Sequence, residues 1–199
     1  MLRPALPFPD LRPGDIILRP FGGRWGWIIT VLQALVAWDF SRYSHTEMYV
    51  GDGWVISARA GGISKMLLED ALAGAKHIAV VPVPPDADHL RPAIVAAALS
   101  MEGAGYQWLA YLWIGLARAA KVFGLRALGI PLHWLERLLE TNKRWICSAY
   151  MDRAWLLGGL HMFDDGRLRA AVSPGDVAHV GWTLHADTGP WIEDGTGVD

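Results

Sequence analysis

The chain has 199 residues, a length that suits one domain with a sizeable core. Hydrophobic residues make up 52% and charged residues 19%, which excludes an intrinsically disordered chain, polar and rich in charge. The formal net charge is -2, from 18 Lys+Arg against 20 Asp+Glu, and no basic block occurs, so no nucleic-acid partner is expected.

The first residues, Met-Leu-Arg-Pro-Ala-Leu-Pro-Phe-Pro, are interrupted by prolines and read as an irregular lead-in and a poor secretory signal. Gly14-Asp15 then opens the short apolar run Ile16-Ile17-Leu18, a first strand. Trp25 to Trp38 is continuously apolar and reads as a helix. Ser44 to Val50 reads as a strand, Gly51-Asp52-Gly53 as a turn and Trp54 to Ala58 as the returning strand of a hairpin. Lys65 to Leu72 is expected to be a short helix, and His77 to Val83 a further β-rich run ended by prolines.

From Leu90 the chain turns Ala-rich, and residues 91–101, 106–122 and 131–140 predict three helices separated by Gly and Pro. Trp145-Ile146-Cys147-Ser148 leads into another helix reaching about Leu157. Residues 158–175 read as loop, Val177 to Leu184 as a last strand, and the tail from Ala186 as frayed. Without a repeat or a linker, the expectation is one α+β domain over residues 1–199, with a helical segment at about 90–140. Both greasy stretches, 25–38 and 108–117, fall short of the roughly 20 apolar residues that span a bilayer. The 11 tryptophans have two readings: a Trp-rich core, or an apolar groove or membrane-facing surface.

The sole cysteine, Cys147, cannot form an intrachain disulfide, and a reducing compartment is the natural reading. It stands where a helix begins, and a helix N-terminus favours the thiolate that attacks electrophiles. A lone free cysteine is more often an inert small hydrophobe. His45 heads a strand, where a histidine serves as a base or simply as a hydrogen-bonded edge residue. The seven histidines show no HExxH spacing, and one cysteine allows no CxxC, so neither a metal site nor a cofactor is expected. Asp15 reads as structural, holding a turn through its own side chain. Tyr43 and Tyr49 read as packing residues, with donation to an oxyanion as the other option. Asp39, Arg42 and Arg59 are polar and near the hairpin, as cleft residues would be.

Three segments together carry a resemblance: Gly-Asp-Ile-Ile-Leu at 14–18, Ser-His-Thr-Glu-Met-Tyr-Val-Gly-Asp-Gly-Trp-Val-Ile-Ser-Ala at 44–58, and Trp-Ile-Cys-Ser-Ala-Tyr at 145–150. They resemble the NlpC-type papain-like superfamily, and more closely its circularly permuted YiiX/YebB-like branch, related to lecithin–retinol acyltransferase. In the unpermuted branch the Cys helix comes first; here Cys147 follows His45 by 102 residues. The resemblance spans roughly residues 11–83 and 143–157. It implies a permuted papain-like fold: a small antiparallel sheet or half-barrel packed against helices, with Cys on a helix N-terminus and His on a strand.

By the same resemblance, Cys147 is the nucleophile and His45 the general base. The third residue, which orients the imidazole, falls on the next strand at Ser57, where the permuted branch often carries Glu. Ser57 offers only a neutral hydroxyl. Glu47 lies two residues after His45, hence on the same face of its strand, and is the alternative partner; its other readings are a group that binds a substrate amine and an exposed charge on a half-solvated strand. The expected activity is amide or ester cleavage through an acyl-enzyme on a peptide, peptidoglycan or acyl-lipid substrate. The other readings are a weak or inactive binding module on the same fold, a lipid-surface acyltransferase, or a peripheral membrane protein docking through its Trp-rich helices. A cytoplasmic or phage-associated protein is expected.

Overall fold

The computed structural model describes residues 11–20, 43–59, 61–73, 75, 78–106, 144–163 and 172–184. Its elements, in chain order, are β1 (Ile16–Arg19), β2 (His45–Gly51), β3 (Trp54–Arg59), β4 (Gly62–Leu67), α1 (Leu68–Leu72), β5 (Ala79–Val81), a 3-10 turn (Pro85–Leu90), α2 (Arg91–Ser100), β6 (Gly105–Tyr106), β7 (Arg144–Trp145), α3 (Cys147–Leu157) and α4 (Pro174–Leu184). The expected helices at Trp25–Trp38 and 131–140 lie outside the described residues, as do 107–122 of the expected helix 106–122, Asp39, Arg42 and the tail; Tyr106, its expected first residue, belongs to strand β6 instead. No helix among the described residues is long and apolar enough to cross a membrane.

The architecture is α+β. Five strands form an antiparallel sheet in the order β4-β3-β2-β1-β5. The β2–β3 hairpin turns as the sequence predicts. Gly51, Asp52 and Gly53 all carry positive φ (101°, 51° and 77°), a region that Gly, and next Asp, enter at least cost. A register shift between Tyr49 and Gly51 accompanies the turn.

Strand alternation sorts the side chains onto two faces. Ile16, Leu18, Met48, Ile56, Ala58 and Val81 point into the larger core, where Tyr150, Met151, Ala154 and Trp155 of α3 and Ile94 and Ala98 of α2 meet them. The opposite face carries Ile17, Tyr49, Val55 and Val80, packed with Leu11 and with Leu68 and Ala71 of α1. Further along that face the same alternation places Arg19, His45, Glu47, Ser57 and Arg59.

Helix α3 is anchored along its length. The Tyr150 hydroxyl donates to the Ala98 carbonyl at 3.0 Å, and Trp155 Nε1 donates to the Gly14 carbonyl at 3.1 Å. Where α3 ends, a Cβ on Gly158 would stand 2.6 Å from Ile94 Cα, so only glycine admits this close approach to α2. At the other end, β7 leads straight into Cys147. It pairs in parallel with β6, and the residues just before β6 exchange backbone hydrogen bonds with Ile63 of β4 (Ile63 N–H to Ala104 carbonyl, 2.8 Å; Gly103 N–H to Ile63 carbonyl, 2.9 Å). The start of α3 is thereby tied to the main sheet.

Two expected elements are different. Lys65-Met66-Leu67, read as the start of a helix, belong to β4, paired with Ile56, Val55 and Trp54. Only Leu68–Leu72 is helical, because the ladder with β3 outweighs local helix propensity. Val177 to Leu184, read as a strand, lies in α4. A capping box starts that helix: Asp176 N–H donates to Ser173 Oγ at 3.1 Å, while Asp176 Oδ2 accepts from Ser173 N–H at 2.7 Å. Pro174, which suits the first helical turn, follows the cap.

Candidate active site

Cys147 is the first residue of α3, after Ile146 in an extended conformation. The N–H groups of a helix's first turn lack partners within the helix, and here no acidic side chain in that turn offsets their dipole. The neighbouring hydroxyl is engaged elsewhere, since Ser148 Oγ donates to the Val172 carbonyl at 2.6 Å. Cys147 is fully buried.

His45 is the first residue of β2, opposite Arg19 of β1, and it is buried as well. A side-chain hydrogen bond joins it to Cys147. Two residues far apart in sequence, each heading its element, are thus side by side. At the ring's Nε2, Glu47 Oε1 lies 3.2 Å away and Ser57 Oγ 3.4 Å. Burial pulls the imidazole pKa down most strongly, but the charge and hydrogen bond of Cys147, and then those of Glu47, outweigh it and hold His45 above its ordinary value.

Both candidates for the third residue stand at the same nitrogen, and they differ in chemistry. Glu47, fully buried rather than exposed on a solvated strand, carries a full charge at hydrogen-bond distance. Ser57 makes a longer contact, and its oxygen also accepts from Arg59 Nε at 3.1 Å.

Glu47 Oε1 is a point of convergence. Besides His45 it receives Arg19 Nη2 at 3.0 Å and Arg59 Nη2 in a short ion pair. Burial alone would raise the Glu47 pKa, yet His45 and Arg19 bring it down to about 2. The carboxylate is therefore ionised throughout the working range of a protein. Its second oxygen, Oε2, is buried with no hydrogen-bond partner among the described residues, as is Thr46 Oγ1 on the opposite face.

Sequence reasoning missed Arg19 and took Arg59 no further than a residue lining the cleft. Arg19 sits two residues after Ile17 and so shares its face, but only the β1–β2 register sets it beside Glu47. Tyr43 is part of the larger core, and the Tyr49 hydroxyl accepts the Gly53 N–H at 3.3 Å. Asp15 is structural, and it holds more than its own turn. It accepts from Arg12 N–H (2.8 Å) and Val83 N–H (3.0 Å) and pairs with Arg91 Nη1 (2.6 Å).

Among the described residues no group of three His, Cys, Asp or Glu side chains is placed to hold a metal ion. Set against known proteins, the sequence matches no family model and no curated protein.

Proposed function

We propose that this chain is a cysteine-dependent amide or ester hydrolase of permuted papain-like type, working through an acyl-enzyme on Cys147. The observation that carries the reading is His45 held between Cys147 on one side and an ionised Glu47 on the other. An imidazolium next to the thiol favours the thiolate, and the charge of Glu47 behind it favours the imidazolium.

The chemistry follows from these positions. The Cys147 thiolate attacks the substrate carbonyl, and the oxyanion that forms is met by backbone N–H groups in the first turn of α3. His45 gives its proton to the leaving amine or alkoxide as the C–N or C–O bond breaks. The neutral imidazole then takes a proton from water as its oxygen attacks the thioester, and collapse of that intermediate returns the thiolate and releases the acid. Glu47 holds the ring in orientation and keeps its charge throughout. Peptides, peptidoglycan stems and acyl-lipids all offer the carbonyl this chemistry needs. An acceptor other than water at the second step turns the same cycle into acyl transfer.

Alkylation by iodoacetamide as a function of pH tests the proposal. A free thiol, with a pKa of about 8.5, is almost wholly protonated at pH 6. Wild-type Cys147 should react at pH 6 far faster than such a thiol, and His45→Gln should abolish this acid-side reactivity. A wild-type profile with the single inflection of an ordinary thiol would sink the mechanism.

A further inference from the structure

Two acceptors stand at His45 Nε2, and one residue holds both of them. Arg59, the last residue of β3, donates from Nε to Ser57 Oγ at 3.1 Å and from Nη2 to Glu47 Oε1 in a short ion pair. Nε and Nη2 belong to one planar guanidinium, so the spacing of these two donors is fixed. Glu47 and Ser57 are buried, and they stand on different strands, β2 and β3. Among the described residues, only Arg59 and His45 reach both of them with a hydrogen-bonding atom.

What has to be fixed at Nε2 is a proton and a direction. An ionised carboxylate only accepts, so the hydrogen bond between His45 and Glu47 puts the proton on Nε2. Ser57 Oγ, at 3.4 Å, is then a second acceptor for the same N–H. A bond of this kind weakens steeply as its angle closes. The direction of the carboxylate is decided at Oε1, because Oε2 is buried with no hydrogen-bond partner among the described residues. Arg19 reaches Oε1 from β1 and Arg59 reaches it from β3, on the two sides of β2. Cys147 meets the same ring from α3. The Arg59 fork ties Oε1 to the Ser57 hydroxyl of the neighbouring strand as well.

From this arrangement we infer that Arg59 is a positioning residue for His45: its fork holds the two acceptors, Glu47 Oε1 foremost, against the Nε2 proton and so keeps the imidazole in one tautomer and one orientation. The inference rests on the hydrolase reading for the use made of that ring. It adds the residue that sets the partner of the base. The charge of Arg59 works against this role, since a nearby cation disfavours an imidazolium. What Arg59 contributes is geometry.

Arg59→Lys separates the geometry from the charge. Lysine keeps the charge but presents its donors from a single atom, without the fork. The measurement is the rate of Cys147 alkylation by iodoacetamide at pH 6 divided by the rate at about pH 9, where an ordinary thiol is mostly ionised. This ratio should fall roughly fivefold in Arg59→Lys, under one pKa unit of coupling. In a Glu47→Gln background the same change should lower it by less than about twofold, because Arg59 acts mainly through Glu47. An unchanged or raised ratio in Arg59→Lys overturns the inference, because charge is then all that Arg59 supplies. An equal loss with and without Glu47 overturns it too, because a general loosening of the fold does not pass through that carboxylate.

Proton NMR of the imidazole N–H gives a second measurement that needs no reactive thiol. A buried imidazole N–H bonded to a carboxylate is seen far downfield and is protected from exchange with water. The wild type should show it, and Arg59→Lys should lose it to exchange. An unaltered resonance in Arg59→Lys overturns the positioning role. An ordinary-thiol pH profile in the wild type, with the resonance still dependent on Arg59, overturns the hydrolase reading and upholds the positioning of the ring.

Discussion

Two buried carboxylates in this fold, Asp15 and Glu47, each meet arginine, and they are held in opposite ways. Asp15 spreads its bonds over both oxygens: Arg12 N–H on one, Val83 N–H and the Arg91 guanidinium on the other. Arg91 in turn donates to the Pro13 and Val83 carbonyls and to Asp88. The result fastens β1, the segment after β5 and α2 to one another. Burial still dominates, so the Asp15 pKa lies above its ordinary value despite Arg12, Arg91 and Val83. Glu47 instead gathers two arginines and a histidine on one oxygen and leaves the other without a partner. Its pKa falls to about 2, against the same opposing effect of burial. A saturated carboxylate tied to backbone N–H groups serves as a fastener. A carboxylate whose partners are all charged or chargeable, with a lone pair to spare, is built to hold a charge in place.

Removing each charge in turn should separate these roles, and the largest effect is expected at the fastener. Asp15→Asn puts an amide NH2 group where a carboxylate oxygen accepts from Arg12 N–H, or from Val83 N–H and Arg91, so buried donors lose their acceptor. Buried donors left unsatisfied cost about 1 to 3 kcal/mol each, and the cost should appear as a lower denaturant midpoint with an unchanged slope. The pH profile of Cys147 alkylation should stay as in the wild type. An altered profile in Asp15→Asn would mean that the two clusters are coupled and would break the comparison.

Glu47→Gln should do the reverse to the thiol. Without the charge behind Nε2 the imidazolium loses support, and alkylation of Cys147 near pH 6 should slow about tenfold, one pKa unit of coupling. Stability at low pH gives an independent reading. A carboxylate whose folded pKa lies below its unfolded value contributes stability that is complete above about pH 4.5 and is lost as pH falls towards 2. The size of that loss is on the order of 3 kcal/mol. Asp15, raised above its ordinary value, has the opposite sign: its ionisation disfavours the fold, and acid relieves that cost. Glu47→Gln should therefore flatten the loss of stability between pH 4.5 and 2, as measured by urea unfolding at a series of pH values. An unchanged acid limb would show that Glu47 is not the ionised partner.

The contrast also explains what the sequence could reveal. The hairpin was legible because Gly51-Asp52-Gly53 is a local signal, and so was the start of α3 at Cys147. That Glu47 shares a face with His45 follows from the two-residue period of a strand. Arg19 was not legible as its partner, since nothing in the order of residues fixes the pairing of β1 with β2. The Asp15–Arg91 pair bridges 76 residues and is hidden for the same reason. The misread strand at Val177 to Leu184 had a readable signal against it in Ser173-Pro174-Gly175-Asp176, the capping box. Local chemistry was visible; pairing at a distance was not.

The smallest effect is expected at Ser57, and it sharpens the assignment of the third residue. Ser57 and Glu47 both reach His45 Nε2, at 3.4 and 3.2 Å. Ser57 Oγ already accepts from Arg59 Nε, and as a neutral acceptor it adds less to an imidazolium than a carboxylate does. Its removal leaves the Glu47 charge in place, along with the ion pairs from Arg19 and Arg59. Ser57→Ala should therefore change the rate of Cys147 alkylation at pH 6 by less than about threefold, well under one pKa unit of coupling. The double variant tests whether the two residues share one function. If Glu47 fixes the ring alone, adding Ser57→Ala to Glu47→Gln should slow alkylation by no more than it does in the wild type. If both fix the ring, the loss in the double variant should exceed the product of the single effects, because each acceptor covers for the other. A Ser57→Ala effect larger than that of Glu47→Gln would return the role to the hydroxyl and leave Glu47 as a counter-charge for the arginines.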